Sequence, residues 1–399
     1  MNRVFMVAAR RTSISPKGGA SAEVPFHELG AMAAKAVMVD ANLAAERVDG
    51  LFLGNALAAG GNPARLAALS AGLPHRMPAW SIDTQCCSGL DAISLAVDRI
   101  RAGSAHVLLA GGAESASQAP QRANRTTSGC EPYEEADFTP WGDQEPSMVE
   151  SARALSDQLG DLEAEYVWTV RSHERARVAT HPERISVGAV PGAMGGKDSF
   201  TRVLTLKACQ RAAHHPIHNP TTMAPLADGA AMMLLMSERA LNVWLEREGA
   251  IGLRGVEDSS SGSRGKREVA LGNERPSPAC EVLSSCQVGA DPFTPGLATV
   301  ALKNWLDRLC ADHGEPTCVE LMESFAAQAL LNIKALALES DRVNLEGGLL
   351  AMGHPIGASG AVLVARLHHR LGPGEWGAAL IPAAGGLASG LALRRVGGR

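Results

Sequence analysis

Residues 81–93 have the sequence SIDTQCCSGLDAI, in which a short strand-like segment leads through a cysteine pair into a helical pattern. After Cys86, apolar residues recur at the spacing of one helix face: Leu90, Ile93, Val97 and Ile100. The pattern predicts a helix that begins near Cys87 and buries one face. Cys86 then meets the unpaired N–H groups and the positive dipole end of a helix N-terminus, which favour a thiolate nucleophile. A small core residue is the alternative interpretation of Cys86.

The composition is that of an ordinary globular protein. The 399 residues are 46% hydrophobic and 20% charged, and this length predicts two or three domains. The net charge of −5 gives no reason to expect a nucleic-acid partner, and no apolar stretch reaches membrane-spanning length. The start of the sequence has no signal-peptide pattern.

The eight cysteines are scattered, and none forms a Cys-x-x-Cys pair. This spacing argues against zinc and against a disulfide framework, and it favours a reducing, cytoplasmic location. His214, His215 and His218 have no cysteine or carboxylate beside them, so a polar loop is the preferred interpretation and no metal site is predicted.

Strands and helices alternate along the chain, which predicts an α/β fold with a largely parallel sheet. Predicted strands cover residues 3–9, 48–54, 79–84, 106–110, 228–235, 318–321, 377–382 and 389–396. Predicted helices include residues 27–41, 62–71, 325–338 and a run from about 360 to 371. Residues 117–190 form a polar excursion with a single helical run over 147–179, and residues 257–275 are predicted to be a solvated loop. The two halves share this rhythm, which suggests an internal duplication.

A second candidate site lies in residues 353–360, with the sequence GHPIGASG. Such a turn brings backbone N–H groups and the His354 imidazole near a ligand. Histidine titrates near neutrality, so His354 is a candidate general base or hydrogen-bond donor. The alternative is a histidine that only stabilises the turn.

Taken together, these motifs resemble the thiolase family. The resemblance rests on CxSGLxAI from Cys86, AGGAES at 110–115, NxxGG at 344–348 and GHPIGASG at 353–360, and it extends over nearly the whole chain. It implies a duplicated five-layer αβαβα fold with an inserted loop domain, assembled as a homodimer or homotetramer. The implied domains are 1–117 with 225–250, the loop domain 118–224, and 251–399.

The resemblance also implies roles for individual residues. Cys86 would be acylated by an acyl thioester while His354 activates it. The backbone N–H groups of Cys86 and Ala384 would form an oxyanion hole. Substrate-binding positions would be Ala224, Gly385 and Ser359, although the family usually has serine where this chain has Ala224.

Two departures from the family pattern affect the chemistry. Aligning the C-terminal Gly385-Gly386 turn puts Pro382 where the family has a second catalytic cysteine, and the nearest cysteine in the sequence is Cys318. Met322 replaces an asparagine of the family's oxyanion hole, and a thioether is only a weak acceptor with no hydrogen to donate. Proline cannot accept a proton, so ordinary Claisen condensation should be severely impaired.

The sequence therefore predicts an acyltransferase that forms an acyl-enzyme on Cys86 and passes the acyl group to an acceptor needing no cysteine base. The donor would be an acyl-CoA or an acyl carrier protein thioester, with no bound cofactor. One alternative is a catalytically degenerate subunit that binds acyl thioesters or an active partner. Another is an acetyl-CoA acetyltransferase with a substitute base such as Cys87 or Glu346.

Overall fold

The computed structural model describes residues 2–58, 60–141, 146–185, 196–215, 219–257, 279–294 and 296–397. Its helices are α1 (Phe26–Asp40), α2 (Pro63–Ser70), α3 (Ser88–Arg101), α4 (Met148–Leu159), α5 (Leu162–Val178), α6 (Leu206–Ala212), α7 (Glu238–Glu257), α8 (Lys303–His313), α9 (Ala326–Ala335), α10 (Leu349–Met352) and α11 (Ser359–Arg370). Its strands are β1 (Val4–Arg11), β2 (Ser15–Pro16), β3 (Gly50–Gly54), β4 (Ala79–Ile82), β5 (Val107–Ser115), β6 (Arg122–Thr126), β7 (Gly129–Tyr133), β8 (Ala227–Ser237), β9 (Cys280–Gly289), β10 (Cys318–Leu321), β11 (Trp376–Ala383) and β12 (Leu387–Arg395).

Two groups of strands make up the main sheet. The N-terminal group has the order β1-β8-β5-β3-β4, the C-terminal group has the order β10-β11-β12-β9, and a short β1–β9 pairing joins them. Pairing is parallel within β3, β4 and β5 and between β10 and β11, and antiparallel in the other pairs of this order. The prediction of a largely parallel sheet is therefore wrong. A helical crossover enforces parallel pairing only between the strands it joins, whereas the β11–β12 connection is a tight hairpin turn.

The strands and helices stack in five layers. Successive residues of a strand face opposite sides, so Leu108 and Ala110 of β5 pack into the central apolar cluster while Val107 and Leu109 pack outward. The central layer is formed by α3 and α11, which are buried between the two groups of strands. Helices α1, α2 and α7 cover one outer face, and α8 and α9 cover the other. The α/β class and the layered architecture are confirmed.

Several predicted elements differ from the structure. The single helical run over 147–179 is wrong, because Gly160 adopts a left-handed φ of 68° and separates α4 from α5. Strand β5 runs through Gly111 and Gly112 to Ser115 instead of ending before them. Strand β9 and the β6–β7 hairpin were not predicted. The loop predicted at 257–275 lies outside the described residues, apart from Glu257 at the end of α7.

The fold gathers chemical groups at one edge. The carboxyl ends of β3, β4 and β5 meet at the same edge because these strands are parallel. The segment after β4 carries Cys86, and β5 ends with Glu114 and Ser115. In the C-terminal half, β10 leads directly to Met322, and β11 leads to Ala384.

None of the helices in the described part of the chain has both the length and the apolar character that a membrane span requires.

Candidate active site

Cys86 lies in a single 3-10 turn, Gln85–Cys87, that continues directly into α3. Gln85 has a φ of +55°, a conformation that non-glycine residues rarely adopt and that proteins tend to keep at functional sites. The helix must also approach the segment that carries the histidine closely. A Cβ on Gly89 would lie only 2.8 Å from the Gly357 carbonyl oxygen, so glycine is required there.

The two residues proposed from the sequence meet in space. The Cys86 Sγ lies 3.2 Å from the His354 Nε2, and both residues are buried. The His354 backbone N–H donates to the Pro225 carbonyl (2.7 Å). This hydrogen bond joins the His354 segment to the residues that lead into strand β8. On the other side of the ring, the His354 Nδ1 lies 2.6 Å from the Ser359 Oγ. Nε2 can accept the Cys86 proton only if Nδ1 carries the ring proton and donates it to Ser359.

Burial keeps both members of the pair uncharged. It raises the pKa of the Cys86 thiol to about 12, and the Glu114 and Asp83 carboxylates add to this rise. Burial also lowers the pKa of His354 to about 3. The expectation that the helix N-terminus makes Cys86 a resting thiolate is therefore wrong, because desolvation outweighs the local N–H groups. The resting state is a thiol facing a neutral imidazole.

Two backbone N–H groups converge on the Cys86 sulfur. The backbone N–H groups of Cys86 and Ala384 lower the pKa of the thiol against the rise caused by burial, so both favour negative charge at the sulfur. Ala384 is held by the hairpin turn between β11 and β12. Gly385 and Gly386 have φ values of +76° and +74° in this turn, and the Gly386 carbonyl accepts from Ala290 N at 2.7 Å. An oxyanion hole requires two such N–H donors beside the nucleophile, so the role predicted for Cys86 N–H and Ala384 N–H stays a prediction.

The two departures from the family pattern are buried beside this site. Pro382 is a buried residue of β11, opposite Ala388 in the ladder, and offers neither an N–H nor a titratable group. Met322 is fully buried in the same apolar cluster as Cys86, and its backbone N–H donates to Leu380. Neither side chain can move a proton at this site.

The predicted substrate-binding residues occupy different surroundings. Ser359 is fully buried and its hydroxyl contacts the His354 ring, so in this structure it orients the histidine. Ala224 is almost fully buried, and its N–H donates to Ser324. A Cβ on Gly385 would lie 3.2 Å from the Phe138 carbonyl oxygen, so this turn meets the inserted segment. A cavity of about 480 Å³ opens beside Gln85.

Two suggested substitute bases are already engaged. Cys87 donates to the Ile381 carbonyl at 3.4 Å, and burial raises the pKa of its thiol well above the ordinary value. Glu346 lies 3.8 Å from Arg370 in an ion pair.

Glu114 was not singled out from the sequence. It is buried and accepts four hydrogen bonds, from the Asn55 amide (2.8 Å) and from the backbone N–H groups of Ala56 (2.8 Å), Leu57 (3.2 Å) and Gly357 (3.0 Å). It thereby fastens the His354 segment to the N-terminal half. Burial raises the pKa of Glu114 to about 7. The only available signal was an acidic residue at the end of the otherwise apolar strand β5.

Comparison with known proteins agrees with the fold and the motifs. The family model "Thiolase, N-terminal domain" matches residues 4–239, and "Thiolase, C-terminal domain" matches residues 277–395. A Staphylococcus aureus (strain COL) protein named "Probable acetyl-CoA acyltransferase" is 31% identical over 411 residues, covering 93% of each chain. Its counterpart of the same name from strain MSSA476 is 32% identical over the same length and coverage.

A solved structure gives the same result for the fold. The Acat5 thiolase from Ascaris suum, in complex with coenzyme A, superposes with a TM-score of 0.81 at 23% identity. The superposition covers 99% of this chain and 100% of that one.

Proposed function

The chain belongs to the thiolase family and is an acyltransferase; on that premise, we propose that it forms an acyl-enzyme on Cys86 and passes the acyl group to an acceptor that needs no cysteine base. The donor in this proposal is an acyl-CoA. Relatives named as acetyl-CoA acyltransferases and the coenzyme A complex of the structural neighbour support this choice. An acyl carrier protein thioester is the other possible source of the same acyl group.

The first half-reaction uses the pair at 3.2 Å. Cys86 transfers its proton to the His354 Nε2 as its sulfur attacks the thioester carbonyl. The carbonyl oxygen becomes negative and is met by the N–H groups of Cys86 and Ala384. When the tetrahedral intermediate collapses, the bond to the donor sulfur breaks and the leaving thiolate takes the proton from His354.

The second half-reaction reverses these roles. An amine, hydroxyl or thiol of the acceptor attacks the acyl group while His354 accepts its proton. The bond between the acyl carbon and the Cys86 sulfur then breaks, and the proton returns to the Cys86 sulfur. His354 alone serves both steps, so no second base is needed.

The observation that carries the proposal is the combination of an intact Cys86–His354 pair with Pro382. A condensation between two thioesters needs a base to remove an α-proton from the second substrate. General bases typically contribute about 10²–10⁴-fold to such steps. Pro382 cannot supply this base, whereas the short distance between Cys86 and His354 supports acyl transfer.

A second candidate function follows from Met322 and Pro382 together. With both family positions replaced, the chain is a thiolase-like subunit that binds acyl thioesters or an active partner without turning them over. The intact Cys86–His354 pair argues against this candidate.

We also propose a homodimer or homotetramer in the cytoplasm, in keeping with the family and with eight free cysteines.

Intact-protein mass spectrometry tests the proposal. The pure protein is mixed with acetyl-CoA and with longer acyl-CoAs, and the mass increase of the chain is measured. We expect one acyl group on the native protein, none on Cys86→Ala, and an unchanged result for Cys130→Ala, which removes an exposed cysteine. If no CoA or carrier-protein donor acylates the native protein, the proposal is wrong and the binding subunit replaces it.

A further inference from the structure

Three side chains with metal-binding atoms meet at the loop that leads through α10 to His354. His181 and Glu183 follow α5, and Glu346 belongs to the loop between α9 and α10. One ligand atom from each residue lies within 4.8 Å of the other two. His181 and Glu183 are buried and Glu346 is half-buried, so the cluster is open to solvent on the side of Glu346.

The hydrogen bonds of His181 leave a lone pair pointing at a carboxylate. The His181 Nε2 lies 3.1 Å from the Ala176 carbonyl oxygen, which can only accept, so Nε2 carries the ring proton. In the neutral ring Nδ1 is then an acceptor, and it faces the Glu183 Oε1 at 3.3 Å. Among the described residues, neither the His181 Nδ1 nor the Glu183 Oε2 has a hydrogen-bond partner. Two buried acceptors that face each other are stabilised by a proton or a metal cation between them.

The surrounding charges leave room for that cation. Arg11 is shared between Glu183 and Asp198, and Arg366 pairs with Glu320. These buried groups are two guanidinium groups against three carboxylates, and Glu346 adds a fourth carboxylate at the edge.

Two further arginines lie toward solvent. Arg184 is 3.6 Å from Asp198, and Arg370 is 3.8 Å from Glu346, with side-chain exposures of 20% and 44%. Their charges are partly screened by water, so they offset the buried excess less than buried cations would. Burial raises the pKa of Glu320, Arg366 opposes this rise, and the Glu346 and Glu183 carboxylates add to it. The pKa of Glu183 is raised by burial but lowered more by Arg11, His181 and Arg366, so the charge balance alone does not decide the site.

We propose that His181, Glu183 and Glu346 bind one divalent cation of the class that takes nitrogen and oxygen ligands, for which Zn²⁺ is the probe. The ligands are the His181 Nδ1, the Glu183 Oε2 and a Glu346 carboxylate oxygen, with water completing the site. Bonds of about 2.1 Å place neighbouring ligands of a tetrahedral site about 3.4 Å apart. The half-buried Glu346 side chain closes the remaining gap by moving inward.

The cation has a structural role and takes no part in acyl transfer. It joins the segment 181–185, which follows α5 in the inserted region, to the loop 344–348, whose Gly347 carbonyl accepts from Arg366. That loop leads through α10 to His354. Because the ligands are far apart in the sequence and meet only in the folded chain, the cation binds the folded state in preference to the unfolded state and so stabilises the fold.

Metal binding by the full-length chain tests the proposal. Protein stripped with a chelator is equilibrated with Zn²⁺, and bound metal is counted by elemental mass spectrometry. Co²⁺ is then substituted, because thiolate ligands give intense charge-transfer absorption and nitrogen and oxygen ligands do not; this separates the site from the eight cysteines. The variants are His181→Asn and Glu346→Gln, and the matched control is His75→Asn, which changes an exposed histidine.

We expect one ion per chain in the native protein and in His75→Asn, without thiolate absorption, and loss of that ion in both site variants. Zn²⁺ should raise the melting temperature of the native protein and leave that of Glu346→Gln unchanged. Glu346 lies at the edge, so this variant decides the question if His181→Asn fails to fold. The proposal is overturned if the native protein binds no stoichiometric metal. In that case a proton, and no metal ion, lies between the His181 Nδ1 and the Glu183 carboxylate. Binding that survives Glu346→Gln overturns it equally.

Discussion

Cys86 and His354 are both neutral at rest, and this determines when the nucleophile forms. The thiolate appears only when the His354 Nε2 accepts the proton at 3.2 Å, in a site whose N–H groups favour the negative sulfur. Since burial raises the pKa of the thiol to about 12, Cys86 should react slowly with general thiol reagents at neutral pH. A bound thioester, by contrast, meets a proton acceptor that is already in place.

The buried neutral histidine makes stability depend on pH. Burial lowers the pKa of His354 from 6.5 to about 3, so the unfolded chain binds a proton that the folded chain refuses between these values. The contribution of His354 to the free energy of unfolding is therefore fully retained above pH 6.5 and decreases as the pH falls below that value. From pH 7 to pH 5 this one group should remove about 2 kcal/mol of unfolding free energy. Urea unfolding of the native protein and of His354→Gln at both pH values measures the difference. An identical loss in the two proteins would contradict the assigned neutral state.

Ser359 should act on catalysis through the orientation of His354. In Ser359→Ala the His354 Nδ1–H loses its partner at 2.6 Å, so the ring is free to adopt the wrong tautomer. We expect acylation of Cys86 to slow by roughly tenfold to hundredfold, a part of the 10²–10⁴ that a general base contributes. Rapid-quench mass spectrometry gives the rate.

The conservative variant Ser359→Thr serves as the control for Ser359→Ala. It keeps the hydroxyl and should restore most of the acylation rate. Equal rates in all three proteins would exclude a positioning role for Ser359.

Cys86, His354 and Ala384 could be singled out from the sequence because each lies in a short motif that resembles the family pattern. The structure puts Cys86 and His354 3.2 Å apart, and the roles of all three residues stay predictions. The protonation state of the pair could not be predicted in the same way. A helix N-terminus is visible in the sequence, but the burial that outweighs it depends on α11, β11 and the His354 segment packing around the sulfur. Glu114 was missed for the same reason, since its four hydrogen-bond donors come from two distant segments.

At the level of elements, the β11–β12 turn is the feature on which the proposed oxyanion hole depends. Gly386→Ala places a Cβ 2.5 Å from the Ala290 carbonyl at a φ of +74°, so the turn must shift and carry the Ala384 N–H with it. We expect a loss of about 1–2 kcal/mol from the backbone conformation alone and a slower acylation of Cys86.

The matched control for this turn is Gly374→Ala. Gly374 has a similar φ of +80°, but no atom lies within 4 Å of the added Cβ. It should lose similar conformational stability while acylating at the native rate. Unfolding curves and acylation rates of both variants decide the matter. Native-rate acylation by Gly386→Ala would mean that the turn does not position Ala384.

Element predictions succeeded where an apolar period was strong and failed where tertiary pairing decides. The apolar strand at 228–235 was correctly predicted, and β8 covers Ala227–Ser237. Strand β9 has the sequence CEVLSSCQVG, in which Ser284 interrupts the alternation of apolar residues, and the strand forms its ladder with β12. The break between α4 and α5 had a readable signal in Gly160 followed by Asp161, a helix C-terminal glycine and an N-cap.

For the whole molecule, a buried carboxylate joins the inserted segment to the C-terminal half. Glu323 accepts from the Trp168 Nε1 (3.0 Å) and the Ser172 Oγ (2.9 Å) of α5, and from the Asn344 amide (2.8 Å). Trp168→Phe removes one donor from a buried acceptor, which should lower the free energy of unfolding by about 1–3 kcal/mol.

Trp141→Phe is the control for Trp168→Phe, because Trp141 is 53% exposed. Its change should lie within about 0.5 kcal/mol of zero. Chemical denaturation of both variants measures the contrast. If Trp168→Phe lowers the free energy of unfolding no more than Trp141→Phe does, Glu323 does not stabilise this junction.

The domain boundaries derived from the sequence stay a prediction.

The central claim is that this chain acylates Cys86 but does not condense two thioesters. The most direct measurement incubates the pure protein with acetyl-CoA alone and follows acetyl-enzyme and acetoacetyl-CoA in the same quenched samples by mass spectrometry. With Pro382 in the place of a base, we expect acetyl-Cys86 to accumulate while acetoacetyl-CoA stays at the level seen with Cys86→Ala. Acetoacetyl-CoA formed as fast as the acetyl-enzyme is consumed would contradict the claim and show that another group removes the α-proton.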